Sequence, residues 1–382
     1  MSLPGVFGKH IGSCTRNSSH SVRMTPRHNP AEAEAIQKAM NRAHSGNGHV
    51  RRRVWDLTPF GYELDMLLLR FCTLAPVVDF FLVTEATTTH TNNVRKPLVL
   101  SDAIANESIP TDLRRKVSVR VVDFAVERER FCPVGMPGKT FRCLEALQRF
   151  VLLEMLLGDA RASPRDLAII ADVDEIVRPS VVSMLRRCYP WDEDGSGLPG
   201  SIILRMTLFK YGVHCDLGNT FMFGARAYSV GHLARSYSHA ANASAASLHE
   251  KSMGLTGTRD HQIGPVIDDA GWHLTSFGSA SEPARKLRTF LHSNIFVHRS
   301  TRATALDPGR LERCMRFCLD LSQPRTANGS MPPCAGRDDP KSRRLPGRVH
   351  ARMSARLDLP PPLLRPQERE HWPPLWFRFI RV

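Results

Sequence analysis

Three acidic residues follow a short apolar run near the middle of the chain. The run is Leu-Ala-Ile-Ile-Ala at 167–171, and the acids are Asp172, Asp174 and Glu175. A strand buried on both faces is continuously apolar and acids are rare in strands, so we expect the chain to leave a sheet at Asp172. Open α/β sheets bind ligands at this carboxyl edge, where adjacent carboxylates suit a hard divalent cation and a phosphorylated ligand. The alternative is a polar turn that only ends the strand.

A second polar cluster with chemical potential occurs later in the chain. Asp268 and Asp269 precede Gly271, Trp272 and His273. Beside a tryptophan and two acids, His273 is about as consistent with a metal ligand as with a hydrogen-bonded structural residue. Because the segment 268–278 is so polar, we do not expect it to form a core strand.

The segments that must position these residues alternate between strand and helix patterns. Apolar runs and alternating apolar residues predict strands at 54–57, 77–84, 116–124, 167–171, 201–209 and 220–224. Apolar residues at helical spacing predict helices at 64–74, 141–157 and 285–296, and a further helix beginning at Pro179. This alternation predicts an α/β fold with a mostly parallel sheet covered by helices on both faces.

Composition and charge narrow the class of protein. A chain of 382 residues with 42% hydrophobic content can bury the core of one large domain or two. The net charge of +15 is concentrated at residues 51–53 and in a Pro/Arg-rich tail. The sequence contains no aromatic-interleaved basic motif of the kind that reads nucleic-acid bases, which argues against specific nucleic-acid recognition. We expect residues 1–50 to be poorly ordered, and residues 306–382 to form a helix followed by a poorly ordered tail.

Signals for a cellular compartment are weak in this sequence. No apolar stretch reaches the roughly 18–20 residues needed to cross a bilayer, and residues 1–27 lack the apolar segment of a signal peptide. The nine cysteines, with no Cys-x-x-Cys pair, indicate neither a zinc site nor a disulfide framework. Glycosylation sequons permit a lumenal location without establishing it, and they begin at Asn17, Asn106, Asn242 and Asn328.

A series of short motifs runs along the chain between about residues 53 and 300. They are Glu-Leu-Asp at 63–65, Val-Val-Asp-Phe-Phe-Leu-Val-Thr-Glu at 77–85, Thr-His-Thr at 89–91, Lys-Pro-Leu at 96–98, Gln-Arg at 148–149, Ala-Asp-Val-Asp-Glu-Ile at 171–176, Arg-Pro at 178–179 and Ala-Gly-Trp-His at 270–273. Their types and order resemble glycosyltransferase family 17. This is the family of the enzyme that adds a bisecting N-acetylglucosamine to N-glycans.

The resemblance implies a GT-A type nucleotide-sugar-binding fold over residues 51–305. It implies an inverting hexosyltransferase that moves N-acetylglucosamine from UDP-GlcNAc, in β-1,4 linkage, to a mannose of a glycan such as the N-glycan core. It further implies Mn²⁺ or Mg²⁺, a glycan or glycoprotein acceptor and a Golgi or other secretory lumen. Membrane association would require a segment that is not visible in this sequence.

The donor site follows from the same resemblance. Asp174 is the expected direct metal ligand, and Asp172 is expected to act through water or to contact the ribose. His273 is expected as a further ligand, and Trp272 as a donor contact. Glu175 is expected either to orient the donor sugar or to pair with Arg178.

Two more residues are expected near the nucleotide, each with a structural alternative. Glu85 ends the second predicted strand, where it either meets the donor or caps a loop or helix. Arg149 either neutralises phosphate or lies on a solvated helix face. Inversion needs a base for the acceptor hydroxyl, and Asp268, Asp269 and Asp260 are candidates by position alone.

Three other classes of protein share some of these features. Phe150 and Asn294 depart from the family pattern, so a catalytically decayed member is one alternative. A phosphatase-like enzyme also uses an Asp-x-Asp after a strand. That class places the motif early in its domain, with Thr or Val where Ile176 stands here. A non-catalytic basic binding protein would explain the tail but not the ordered motifs.

Overall fold

The computed structural model describes residues 22–24, 52–90, 95–131, 140–188, 200–212, 215, 224–241, 265–277, 281, 284–286, 311–312 and 315. These residues fall into two compact units. The first unit takes the described residues within 1–87, 97–206 and 221–271. The second takes those within 88–96, 207–220 and 272–382.

Strands and helices alternate along most of the described chain. The strands are β1 (Val22–Met24), β2 (Val54–Phe60), β3 (Phe80–Ala86), β4 (Val117–Val122), β5 (Leu167–Ile170), β6 (Glu175–Val177), β7 (Ser201–Lys210), β8 (Arg226–Ser229) and β9 (Pro265–Thr275). The helices are α1 (Leu64–Leu74), α2 (Val99–Ala105), α3 (Thr111–Arg114), α4 (Phe124–Phe131), α5 (Thr140–Gly158), α6 (Pro179–Cys188) and α7 (Val230–Ala241). The predicted α/β class is confirmed.

Within the described residues the strands form one mixed sheet, in the order β1-β9-β7-β8-β5-β2-β3-β4, with β6 paired to β9 off this path. The strands β4, β3, β2 and β5 are parallel to one another. Beyond β5 the direction changes, since β8 is antiparallel to both β5 and β7, and β1 is antiparallel to β9. The predicted parallel arrangement therefore holds for the strands joined by helical crossovers.

The side chains of β2 and β3 alternate between two helices. One face packs on α5 in a buried cluster that includes Trp55, Leu57, Leu82, Leu152 and Leu156. On the other face, the ring centroid of Phe81 lies 4.7 Å from that of Phe71 in α1. Because successive strand residues point to opposite faces, neighbouring residues of β3 serve different helices. The carboxyl ends of β2, β3 and β5 are thereby fixed between α1 and α5.

One prediction was wrong. The segment 268–278 was judged too polar for a core strand, but residues 265–275 form β9. Val266, Ala270 and Leu274 are buried in β9, and its acids have arginine partners. Because those arginines come from distant parts of the chain, the local pattern does not show how the acids are compensated. Most of the strand predicted at 220–224 and most of the helix predicted at 285–296 lie outside the described residues.

The second unit contains short, locally bonded segments. Thr88 and Arg95 form an isolated antiparallel bridge. The N–H of Tyr211 donates to the carbonyl oxygen of Thr275 at 3.0 Å, and the N–H of Lys210 donates to the carbonyl of Cys215 at 3.1 Å. These bonds join the end of β7 to the end of β9 within this unit.

Cys143 and Cys215 each take part in a disulfide, although the sequence indicated no disulfide framework. Within the part of the chain that the structure describes, no helix combines the length and apolar character needed to cross a membrane.

Candidate functional site

The acidic turn between β5 and β6 carries the Asp-x-Asp motif. β5 ends at Ile170, one residue before the predicted end at Ala171, and β6, which was not predicted, begins at Glu175. The N–H of Glu175 donates to the carbonyl oxygen of Asp172 at 3.0 Å, and the N–H of Asp172 donates to Oε2 of Glu175 at the same distance. The two bonds close residues 172–175 into a β-turn. Glu175 is buried, and its side chain stabilises the turn.

The two aspartates of this turn differ in exposure. The side chain of Asp172 is 41% exposed, whereas Asp174 is 5% exposed. Asp172 forms an ion pair with Arg149 of α5. The turn therefore has two different carboxylates. That of Asp172 is exposed to solvent and paired with the Arg149 guanidinium, and that of Asp174 is nearly enclosed.

The Gln-Arg pair of α5 serves both the scaffold and the turn. Nε2 of Gln148 donates to the carbonyls of Phe60 and Thr84 at 3.2 and 2.8 Å, which ties the ends of β2 and β3 to the helix. Arg149 pairs with Glu145 and Asp172. Burial alone lowers the pKa of the Arg149 guanidinium, but these two carboxylates outweigh it and raise the pKa above its usual range. Arg149 is therefore a fixed positive charge beside the turn.

A buried arginine holds the same turn from the other side. Arg70 of α1 forms a bidentate ion pair with Asp56 of β2, with Nε–Oδ2 and Nη2–Oδ1 distances of 2.6 and 2.5 Å. Its Nη1 also donates to the carbonyl oxygens of Asp172 and Glu175, at 3.1 and 2.6 Å. Both ends of the turn are thus bonded to one guanidinium.

The acids of β9 pair with arginines of neighbouring strands. Asp269 accepts from Nη2 of Arg178 at 2.7 Å, and its carbonyl accepts from Nε at 2.9 Å. Asp268 pairs with Arg205 of β7 at 2.7 Å. Asp269 has a φ of 52°, which is uncommon for a residue other than glycine, and its side chain is 42% exposed. Since Arg178 directly follows β6, Asp269 is linked to the strand that continues the acidic turn, whereas Asp260 lies outside the described residues.

Gly271 is required by a close approach of two backbones. A Cβ at this position would lie 2.2 Å from the carbonyl oxygen of Ile176 and 3.0 Å from Cα of Val177. β6 can therefore pair with β9 only where β9 has no side chain. This explains the glycine of the Gly-Trp-His motif in structural terms.

Glu85 caps a helix in this structure. It is fully buried, and its carboxylate accepts the N–H groups of Leu100 and Ser101 at 3.0 Å and the hydroxyl of Ser101 at 2.8 Å. These donors belong to the first turn of α2, whose N–H groups have no partners within the helix. The capping alternative therefore describes the observed contacts, while a contact with the donor stays a prediction.

The remaining predicted residues, Trp272 and His273, belong to the second unit. Trp272 is buried and His273 is half-buried, both on β9. Their expected roles, a donor contact and a metal ligand, stay predictions.

The donor set of the turn fits a divalent cation. Among the residues that the structure describes, no group of three or more His, Cys, Asp and Glu side chains is arranged to hold a metal ion. A cation that arrives with a nucleotide does not need such a group, because one or two carboxylates suffice when phosphate oxygens complete its coordination. Asp172 and Asp174 provide hard oxygen ligands of this kind.

Several supporting residues were not identified from the sequence. Arg70 and Asp56 fall within strongly apolar segments, where nothing in the local pattern indicates that they pair. Arg226 of β8 is buried and lies in register with Ile170, the last residue of β5. A charged residue at a position predicted to be buried is the signal that would have identified Arg70 and Asp56, whereas no element was predicted at Arg226.

Comparison with known proteins gives one family match. The model of the family described as Glycosyltransferase family 17 matches residues 23–321. No curated protein matches the chain significantly. Among solved structures, the crystal structure of mouse Xyloside xylosyltransferase 1 in its apo form has 16% sequence identity and a TM-score of 0.23, over 53% of this chain and 76% of that chain. So low a TM-score supports no conclusion about the site.

Proposed function

We propose that this chain, which belongs to glycosyltransferase family 17, transfers N-acetylglucosamine from UDP-GlcNAc to a mannose of a glycan acceptor. Family membership makes the protein a glycosyltransferase, and the sugar, the β-1,4 linkage and the acceptor are the proposed parts. The acidic turn at the carboxyl edge of β5, with Arg149 paired to its exposed aspartate, supports a nucleotide-diphosphate donor, whereas the sugar, the linkage and the acceptor are proposed from the family alone. Open α/β sheets bind nucleotides at this edge.

The diphosphate of the donor sets the chemistry at the turn. Mn²⁺ or Mg²⁺, held by Asp174 and, through water, by Asp172, would neutralise charge that develops on the departing UDP. Arg149 supplies a permanent positive charge at the same place, so it would attract the diphosphate and help retain it. His273 is proposed as a further metal ligand, and Trp272 as a donor contact, from the family motif alone.

Inversion requires a base on the side of the sugar opposite to UDP. Asp269 is our first candidate, because its side chain is 42% exposed whereas that of Asp268 is 16% exposed. Its left-handed backbone is also a conformation that proteins often retain at functional positions. Arg178 fixes the direction of its carboxylate. Glu175 would act on the donor through the turn that it braces.

The first expected result concerns the donor. UDP together with Mn²⁺ raises the melting temperature of the purified full chain by several degrees, since a ligand at 100 times its Kd stabilises by about 2.7 kcal/mol. UDP without the metal gives a much smaller shift. Thermal denaturation with UDP-GlcNAc, UDP-glucose and GDP-mannose as alternatives measures the donor preference. A folded sample without any metal-dependent nucleotide effect would contradict the proposed donor site.

The same preparation tests the acceptor. Incubation with UDP-GlcNAc and a panel of mannose-terminated and bisectable N-glycans is expected to release UDP and to form a β-1,4-linked product, identified by mass spectrometry and NMR. Binding of UDP without transfer to any of these acceptors would favour a decayed family member. Release of inorganic phosphate from phosphate esters would favour the phosphatase-like alternative.

We further propose residence in the Golgi or another part of the secretory lumen, where the protein would meet glycans and glycoproteins. Disulfides persist in oxidising compartments, and Cys143 and Cys215 are each disulfide-bonded. Asn106 begins a sequon and is exposed. Alkylation of intact cells before lysis is expected to leave both cysteines unlabelled in peptide maps of the protein. Quantitative labelling at either one would argue for a reducing compartment.

A further inference from the structure

The ion pair between Arg70 and Asp56 is enclosed in the first unit. Arg70 is 0% exposed and Asp56 is 1% exposed, and the two side chains are joined by two hydrogen bonds. Removing two charges from water costs several kcal/mol per ion, which attraction between them only partly recovers. Apolar residues of similar volume often stabilise a fold equally well or better. Stability alone is therefore a weak explanation for this pair.

The remaining bonds of Arg70 indicate what the pair does. Asp56 accepts hydrogen bonds from Nε and Nη2 of the guanidinium. The third nitrogen, Nη1, donates to the carbonyl oxygens of Asp172 and Glu175. These are the residues that the internal bonds of the turn connect. Because the guanidinium is planar and its donors are fixed relative to one another, Asp56 sets the orientation with which Arg70 meets the turn.

Holding a carbonyl oxygen fixes the peptide plane on which it lies. The planes at both ends of the turn are fixed in this way, and the side chains of Asp172 and Asp174 leave the backbone between them. A misplacement of about 1 Å at a reacting centre can cost on the order of 100-fold in rate. Loss of the rigidity of the turn should therefore affect ligand binding more than it affects the free energy of unfolding.

We propose that Arg70 is a positioning residue, oriented by Asp56, which holds the Asp172–Glu175 turn in the geometry that binds the metal and the nucleotide diphosphate. The inference rests on the proposed function, since it assigns that ligand to the turn. Arg70 itself touches neither ligand; it acts through the backbone of the turn.

The variant Arg70→Lys tests this role. A lysine keeps a buried positive charge near Asp56, but it lacks the fork that reaches Asp56 and both carbonyls together. We expect amide hydrogen exchange in the peptide 171–177 to accelerate at least tenfold. We also expect the Kd for UDP with Mn²⁺, measured by calorimetry on the full chain, to rise about 10- to 100-fold, as is usual when a group supporting metal ligands is lost.

The matched control is Arg186→Lys. Arg186 of α6 is half-buried and, like Arg70, binds an acid and a carbonyl, with Nη2–Asp79 Oδ2 at 3.0 Å and Nε–Arg52 O at 2.6 Å. Those partners precede β2 and β3, at the edge of the sheet opposite the turn. This variant is expected to lose some stability while its Kd and the exchange of 171–177 remain those of the wild type.

A second variant keeps the test possible if Arg70→Lys does not fold. Asp56→Leu with Arg70→Met removes both charges together, so that no buried charge is left unpaired. It is expected to fold and to show the same fast exchange and weak binding. Wild-type exchange and Kd in either folded Arg70 variant would overturn the inference. Absence of UDP binding by the wild type would instead overturn the proposed function, and hydrogen exchange would still report whether Arg70 holds the turn.

Discussion

Asp174→Ala abolishes the Mn²⁺-dependent stabilisation by UDP. Asp174, which is 5% exposed, is the proposed direct metal ligand, whereas Asp172, the other aspartate of the turn, forms an ion pair with Arg149. Loss of a shift worth about 2.7 kcal/mol at 100 times the Kd corresponds to several degrees. Transfer activity is expected to fall on the order of 100-fold or more, since a metal contributes several kcal/mol to charge stabilisation. Thermal denaturation and UDP release measure the two effects.

Two further variants make the result specific. Asp174→Asn keeps the shape of the side chain but removes its charge, and we expect it to lose most of the metal effect while retaining the wild-type fold. Asp112→Ala removes an exposed acid in α3 and is expected to retain the full shift. A folded Asp174→Ala protein that still responds to UDP with Mn²⁺ would refute the assignment of Asp174 as the metal ligand.

Gly271→Ala destabilises the protein by about 3 kcal/mol or more. The added Cβ would lie 2.2 Å from the carbonyl oxygen of Ile176, and a backbone atom cannot rotate away as a side chain can. Overpacking in a well-packed core typically costs about 1–3 kcal/mol, and here β6 and β9 must separate. Because β6 continues the acidic turn, UDP binding should weaken as well. Chemical denaturation and calorimetry measure the two changes.

Gly158→Ala is the matched control for this substitution. Gly158 ends α5, and no atom lies within 4 Å of a Cβ built there. Alanine at such a position restricts the unfolded chain without straining the folded one, which typically stabilises by about 0.4–1 kcal/mol. Equal stability changes in the two glycine variants would show that the close approach at Gly271 is unimportant.

The local elements could be predicted because their patterns are short-range. The apolar run at 167–171 predicted β5 to within one residue of its end at Ile170, and Pro179 begins α6 as expected. α1 and α5 followed from apolar residues at helical spacing. β9 was missed because its acids are compensated by Arg178 and Arg205, which no local pattern connects to it.

The candidate site was predictable in its residue types but not in its supports. The Asp-x-Asp motif identified the turn, but Arg70 lies 102 residues before Asp172 in sequence. Gln148 was placed in a motif without any indication that it ties strand ends to α5, whereas capping of a loop or helix was one of the two alternatives for Glu85, which caps α2. A single sequence shows which polar residues occur in apolar segments, but their partners depend on how the strands pair.

The link between Arg178 and Asp269 also has a consequence for how the protein is made. The two residues are 91 positions apart, and Gly271 must pass beside Ile176 before β6 is paired. At the usual speed of translation, about 5–20 residues per second, β6 waits roughly 5–20 s for β9 to leave the ribosome. Arg70 precedes the turn and can bind it at once, whereas the strand that follows the turn has no β9 partner during this interval. The strand that follows the acidic turn is thus paired only after β9 has been synthesised.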